Sequence, residues 1–174
     1  LIDDELGGTT PLDIILKFPD KKISKNTDDE FDEWEDEDDD SSKYWFTRNK
    51  IDIIDRVHNY LDGLEEVGKV LSLASIVRVA EDLSGGKKLE ALEIGVLYSK
   101  IPNSIKKQII DPYISIESNE ARINLRIIDS KKDLRRNELI KKINYDLENN
   151  LGLKREEFKL TGVLILFNNL LQSL

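Results

Sequence analysis

The order of strand and helix signals along this chain predicts an α+β domain, a ferredoxin-like split βαβ sandwich with a helical insert between its halves. Three observations predict it. In 120–128, Ala121, Ile123, Leu125 and Ile127 alternate with Arg122, Asn124 and Arg126, the period-two pattern of a strand with one solvated face. In 48–64 and 131–151 the apolar residues return at three- and four-residue steps, the pattern of a helix with one buried face. Between these halves lies 74–110, rich in apolar residues at helical spacing and broken by Gly85-Gly86.

Taken in order, Pro11–Phe18 (PLDIILKF) is a short apolar run between Gly-Gly-Thr-Thr and Pro-Asp, and reads as the first strand. Residues 21–42 hold almost no aliphatic side chain, and like-charge repulsion predicts a disordered acidic loop. From Arg48 to Leu64 the residues Ile51, Ile54, Val57, Leu61 and Leu64 make a helical stripe, with Thr47 placed to cap it. Gly68–Leu73 reads as a strand. Helices are expected over Ala74–Leu83, Leu89–Ser99 and Pro102–Ile110, the last opening on a proline whose missing donor costs nothing in a first turn. Tyr113–Glu117 reads as a short hairpin arm, 120–128 as the next strand, Lys131–Leu151 as a helix stopped by Gly152, and Phe158–Thr161 as the closing strand. The whole of 1–174 is expected to be one domain.

Composition narrows the function classes. There is no cysteine, which removes disulfides, thiolate metal sites and cysteine nucleophiles. The formal charge of −9 is local: Asp28–Asp40 holds 11 acidic residues in 13, and the rest of the chain is nearly neutral. Without a basic stripe interleaved with aromatics, nucleic acid is not an expected partner. No apolar stretch approaches the ~20 residues needed to cross a bilayer. A beginning without Met and an end just after an apolar run suggest a segment cut from a longer protein.

No catalytic pattern emerges. His58 is the one histidine and sits inside a helical stripe, where a structural role is the simpler reading. Zinc motifs, a phosphate loop and a GxSxG elbow are all absent, and the acidic run lacks the spacing that preorganises a calcium loop. An enzyme is therefore not expected, nor a cofactor or metal. The residues that invite a binding role are apolar: Trp45 and Phe46 beside the acidic loop, and Ile76, Val79, Leu92 and Val96 in the insert. They either line a substrate groove or serve packing, the aromatics by anchoring the loop and the aliphatics by packing on one another.

Four segments carry a family likeness: Glu5-Leu6-Gly7-Gly8-Thr9-Thr10-Pro11-Leu12, Val67-Gly68-Lys69-Val70-Leu71-Ser72-Leu73, Asp133-Leu134-Arg135-Arg136, and Leu160-Thr161-Gly162. In this order and spacing the chain resembles the periplasmic porter domain of resistance-nodulation-division (RND) exporters of the hydrophobe/amphiphile, MMPL-like type. The resemblance implies a proton-driven exporter of the inner membrane, this segment on its periplasmic side, with the parent's membrane helices and a second porter domain as partners. It implies apolar or amphiphilic molecules or lipids as substrates, is compatible with homo-oligomerisation, and transfers no proton-coupling residue. Leu160–Phe167 would lead from the last strand towards the membrane. The alternative is a free-standing extracytoplasmic ligand-binding or scaffolding module.

Overall fold

The computed structural model describes residues 8–19, 40–128 and 135–172. Most of the acidic run, and residues 131–134 of the expected second long helix, lie outside them. The domain is α+β, built on a five-stranded antiparallel open sheet. The strands are β1 (Thr10–Lys17), β2 (Val67–Leu71), β3 (Ile114–Ser115), β4 (Glu120–Ile127) and β5 (Phe158–Thr161). Their order is β2–β4–β1–β5, with β3 pairing β4 beside β2.

The central pair is β1 with β4, in register over the full length of both from Thr10↔Ile127 to Lys17↔Glu120. This register puts Leu12 opposite Leu125, Ile14 opposite Ile123 and Leu16 opposite Ala121, all buried on one face. The other face carries Asp13, whose carboxylate accepts from Arg122 at 2.7 Å and from Asn124 at 2.8 Å, both on β4. A one-residue slip would turn the apolar row to water and break this polar cluster together.

Helix α1 (Asp40–Lys43) is a single turn; α2 (Arg48–Asp62) begins at Thr47, whose hydroxyl accepts from the Lys50 amide. Its Ile54, Val57, His58 and Leu61 are buried. Helix α6 (Arg136–Asn149) buries Leu139, Ile140, Ile143 and Leu147. Tyr60 of α2 donates to Asp146 of α6 at 2.6 Å, which sets the two helices side by side over the apolar face of the sheet. Burial first, and that bond second, raise the Tyr60 phenol well above its usual range.

Between β2 and β3 stand α3 (Leu73–Leu83), α4 (Ala91–Lys100) and α5, a turn at Asn103–Ile105 that widens into a π-helix over Lys106–Ile110. The widening is explicit in Asp111 N–H donating to the Lys106 carbonyl, five residues back. The insert is continuous with the main core, since Leu73, Ala74, Ile94 and Ile110 belong to the same buried cluster as the sheet residues. It is not a separate satellite. Leu73 opens a helix instead of closing a strand because Ser72 caps it, its hydroxyl accepting from the Ala74 amide at 3.1 Å.

Beyond β5, Val163–Gln172 forms α7, with Leu164 fully buried, where the sequence suggested a connecting segment. Gly162 at φ +109° makes the sharp turn into it, close against the backbone of β1. No helix among the described residues is long and apolar enough to cross a membrane.

Gly95, in the middle of α4, lies against the backbone of α1, where an added Cβ would stand 2.6 Å from the Lys43 carbonyl oxygen. In a free helix Gly→Ala is stabilising by about 0.5–1 kcal/mol. Here the sign reverses: Gly95→Ala is expected to lower the unfolding free energy by about 1–3 kcal/mol, as overpacking does, read as a drop in the urea midpoint.

Candidate functional site

The site residues expected from sequence separate into two groups. Trp45 and Phe46 form an aromatic staple between α1 and α2. Trp45 meets Phe18, just after β1, edge-on at 5.9 Å and Phe46 at 5.3 Å, while Phe46 meets Tyr98 of α4 at 5.0 Å. The Lys50 ammonium stands 4.5 Å over the Trp45 ring. Trp45 is 5% exposed, and its indole N–H has no hydrogen-bond partner. The ring therefore ties the residues flanking the acidic run to the core, while Phe46 also walls a cavity.

That cavity lies between α3, α4 and the π-helix. It measures about 60 Å³ and is walled by apolar side chains, among them Phe46, Leu73, Ile76, Val77, Leu97, Tyr98 and Ile110. On the outer side of Ile76 a second, open groove of about 340 Å³ is lined by Ser72, Ser75, Ile76, Val79, Gln108, Ile109 and Tyr113. Small-molecule sites run from roughly 300 to 1,000 Å³. The inner cavity can take only part of a ligand; the groove has room for a small one, and Ile76 is a wall of both.

Val79 at 58%, Leu92 at 66% and Val96 at 37% are exposed, and with Leu83 and Leu97 they place aliphatic side chains on the exterior of the insert among charged and polar ones. Leu92 and Val96 line neither space. Of the six expected residues, the structure thus brings Phe46, Ile76 and Val79 to the cavity and groove, and sets Trp45, Leu92 and Val96 apart from them.

A third, polar cleft of about 200 Å³ between α2 and α3 is lined by Asp52, Asp55, Arg78, Glu81 and Lys88 among others. Apart from Asp52, which faces Arg48 outside the lining at 4.0 Å, its charges are matched within it. Arg78 donates to Asp55 at 2.7 Å and to Asn59 at 2.6 Å. Glu81 accepts from the Leu89 amide at 3.0 Å and from Lys88 at 2.9 Å. The Leu89 amide first, and Lys88 second, hold the Glu81 carboxyl below the usual range. These bonds fasten the α3–α4 turn to α3.

Nearby, His58 is buried, its Nδ1 2.9 Å from Ser72 Oγ. Because that oxygen already accepts from Ala74, its own proton is available to the Nδ1 of a neutral imidazole. Burial first, and the Arg78 charge second, push the His58 pKa below its ordinary 6.5. No cluster of three or more metal-ligating side chains occurs among the described residues.

Lys106 was not singled out by sequence. It is 6% exposed, and its ammonium lies 4.4 Å over the ring of Tyr98. No sequence signal separates Lys106 from its exposed neighbour Lys107, since the distinction comes from the π-helix.

No family model, curated protein or solved structure was found to match this chain.

The buried His58 gives a pH dependence of definite sign. Its folded pKa lies below the unfolded value, so below about pH 6.5 the unfolded chain takes up a proton that the folded chain refuses. This contribution to stability is complete above that pH and is lost as the pH falls towards the folded pKa. His58→Gln is expected to flatten the corresponding slope of the urea midpoint against pH.

Proposed function

We propose that this chain is an extracytoplasmic porter-like domain of an RND-type, proton-driven exporter, and that its insert contacts the apolar or amphiphilic molecules being moved. The observation that carries the ligand class is the wholly apolar cavity that shares Ile76 with the open groove, on an insert with several exposed aliphatic side chains. In the neighbouring polar cleft Arg78 is paired with Asp55 and Lys88 with Glu81, so those charges are engaged with one another.

The finer fold reading belongs to the same proposal. Strands β1 and β2 both run antiparallel to β4 and so parallel to each other, and β4 and β5 stand in the same relation across β1. With α2 and α6 as the two crossovers, this order supports a ferredoxin-like split βαβ sandwich carrying an insert. The resembling segments supply structural pivots: Val67–Leu73 spans β2 and the cap of α3, and Gly162 is the close turn after β5.

In this mechanism the sheet moves as a unit against a second porter domain, and the insert's aliphatic surface is alternately covered and opened to substrate. The domain would sit on the periplasmic side of the inner membrane, with the proton-coupling groups in the parent's membrane helices.

Two measurements test the reading. An apolar fluorescent probe should bind the chain saturably, and the pair Ile76→Asp with Leu97→Glu should weaken that binding by about tenfold or more. Lys69→Glu, on the far face of the sheet, should leave it unchanged. Absence of saturable binding would remove the ligand role. The parent reading frame should show apolar spans of ~20 residues on both sides of this segment; a cleavable signal before it and a stop near Leu174 would leave a free-standing binding module instead.

A further inference from the structure

The far face of the sheet carries a charge imbalance that the fold does not resolve. Residues directly opposite on paired strands point the same way, so the register puts Lys17, Lys69, Arg122, Arg126 and Lys159 on the face of Asp13, opposite the buried aliphatic row. Asp13 and Glu120 are the carboxylates that the strands bring there. Both are engaged, Asp13 by Arg122 at 2.7 Å and Glu120 by Lys17 at 3.4 Å. Lys69, Arg126 and Lys159 are exposed, and among the described residues their side chains have no hydrogen-bond or ion-pair partner. Lys69 stands directly opposite Arg126, and like charges so placed repel. A lysine on an edge strand guards that edge against unwanted pairing, a reason that covers Lys69 on β2 and Lys159 on β5. It does not extend to Arg126, whose strand is flanked by β2 and β1.

We propose that this face docks an acidic polypeptide segment of a partner protein, its Asp and Glu carboxylates paired with Lys69 and Arg126 at one end and with Lys159 at the other. Lys159 is opposite Ile15, which is opposite Arg122, so it lies two strands across from β4 and four residues along from Arg126. At ordinary strand spacings the two ends are roughly 17 Å apart, a span that about five extended residues cover. Carboxylates are favoured over other polyanions by what the face lacks. No aromatic side chain projects from these strands on that side to stack a nucleic-acid base. Among the described residues, none of the exposed large aliphatic side chains lies on these strands to enter a bilayer; Pro11, Ile15 and Leu71 on this face are half-buried. The inference is independent of the apolar site on the insert.

The test titrates deca-glutamate, and a Gly-Ser peptide of equal length, into the 174-residue chain at low salt, followed by calorimetry. Deca-glutamate is expected to bind and the neutral peptide not, with an affinity that falls as salt screens the pairs. Lys69→Gln with Arg126→Gln should weaken deca-glutamate binding by about tenfold or more, the scale of one charge-assisted hydrogen bond. Lys100→Gln with Lys107→Gln removes the same net charge from exposed positions on the insert and should leave binding unchanged. Lys69→Glu should abolish binding yet raise the urea midpoint, because it turns a like-charge pair into an opposite one; loss of binding in that variant is then not loss of folding. Failure of the wild-type chain to bind deca-glutamate overturns the proposal, as does an equal loss in the two double variants. Binding to phosphatidylglycerol vesicles in place of deca-glutamate overturns it in favour of a membrane surface. None of these outcomes touches the apolar probe's binding at the insert.

Discussion

Everything in this domain is referenced to the pairing of β1 with β4. One face of the pair is a row of aliphatic side chains and the other a polar surface clamped by Asp13, Arg122 and Asn124. The two faces enforce the same register independently. The apolar row cannot shift without exposing itself to water, and the Asp13 carboxylate cannot shift without losing the donors that make its burial tolerable. Helices α2 and α6 then have one face on which to lie, and the Tyr60–Asp146 bond fixes them against each other there.

The insert depends on the same strand. Strand β2 enters it from Leu71, paired with Asn124, and β3 leaves it at Ile114, paired with Ala121. Its two ends are therefore held three residues apart on one edge of β4, about 10 Å at the rise of a strand. Inside that base the packing is close: Leu73, Ala74, Ile94 and Ile110 join the main core, and Gly95 lets α4 touch the backbone of α1. Towards the outside it loosens, through the small apolar cavity to the exposed Val79, Leu83 and Leu92.

How much of this was legible in the sequence follows from which elements have one wet face. Strand β4 and helices α2 and α6 each border water on one side, so their apolar residues recur with a clean period, and the structure has each element where that period puts it over the described residues. Helix α4 reads ALEIGVLYSK, apolar nearly all round, and periodicity could not say that Ile94 would be buried and Leu92 and Val96 exposed. Helix α7 was missed for a related reason. Its run VLILFNN has no polar stripe, and the glycine that starts it was read as leading out of the domain. Lys106 and the π-helix were beyond reach, because a lysine in a lysine-rich turn looks solvated until the backbone geometry turns it inward.

The attachment of the insert also explains how it can carry an apolar cavity without weakening the sheet. Its two ends are tied to one edge of β4, and Leu73, Ala74, Ile94 and Ile110 extend the main core into it from that base. Looser packing beyond the base leaves the β1–β4 register as it is, because that register is held by the aliphatic row and the Asp13 clamp on the strands themselves. Phe46 walls the cavity and meets both Trp45 and Tyr98, so the aromatic staple borders the cavity on one side and the residues that flank the acidic run on the other.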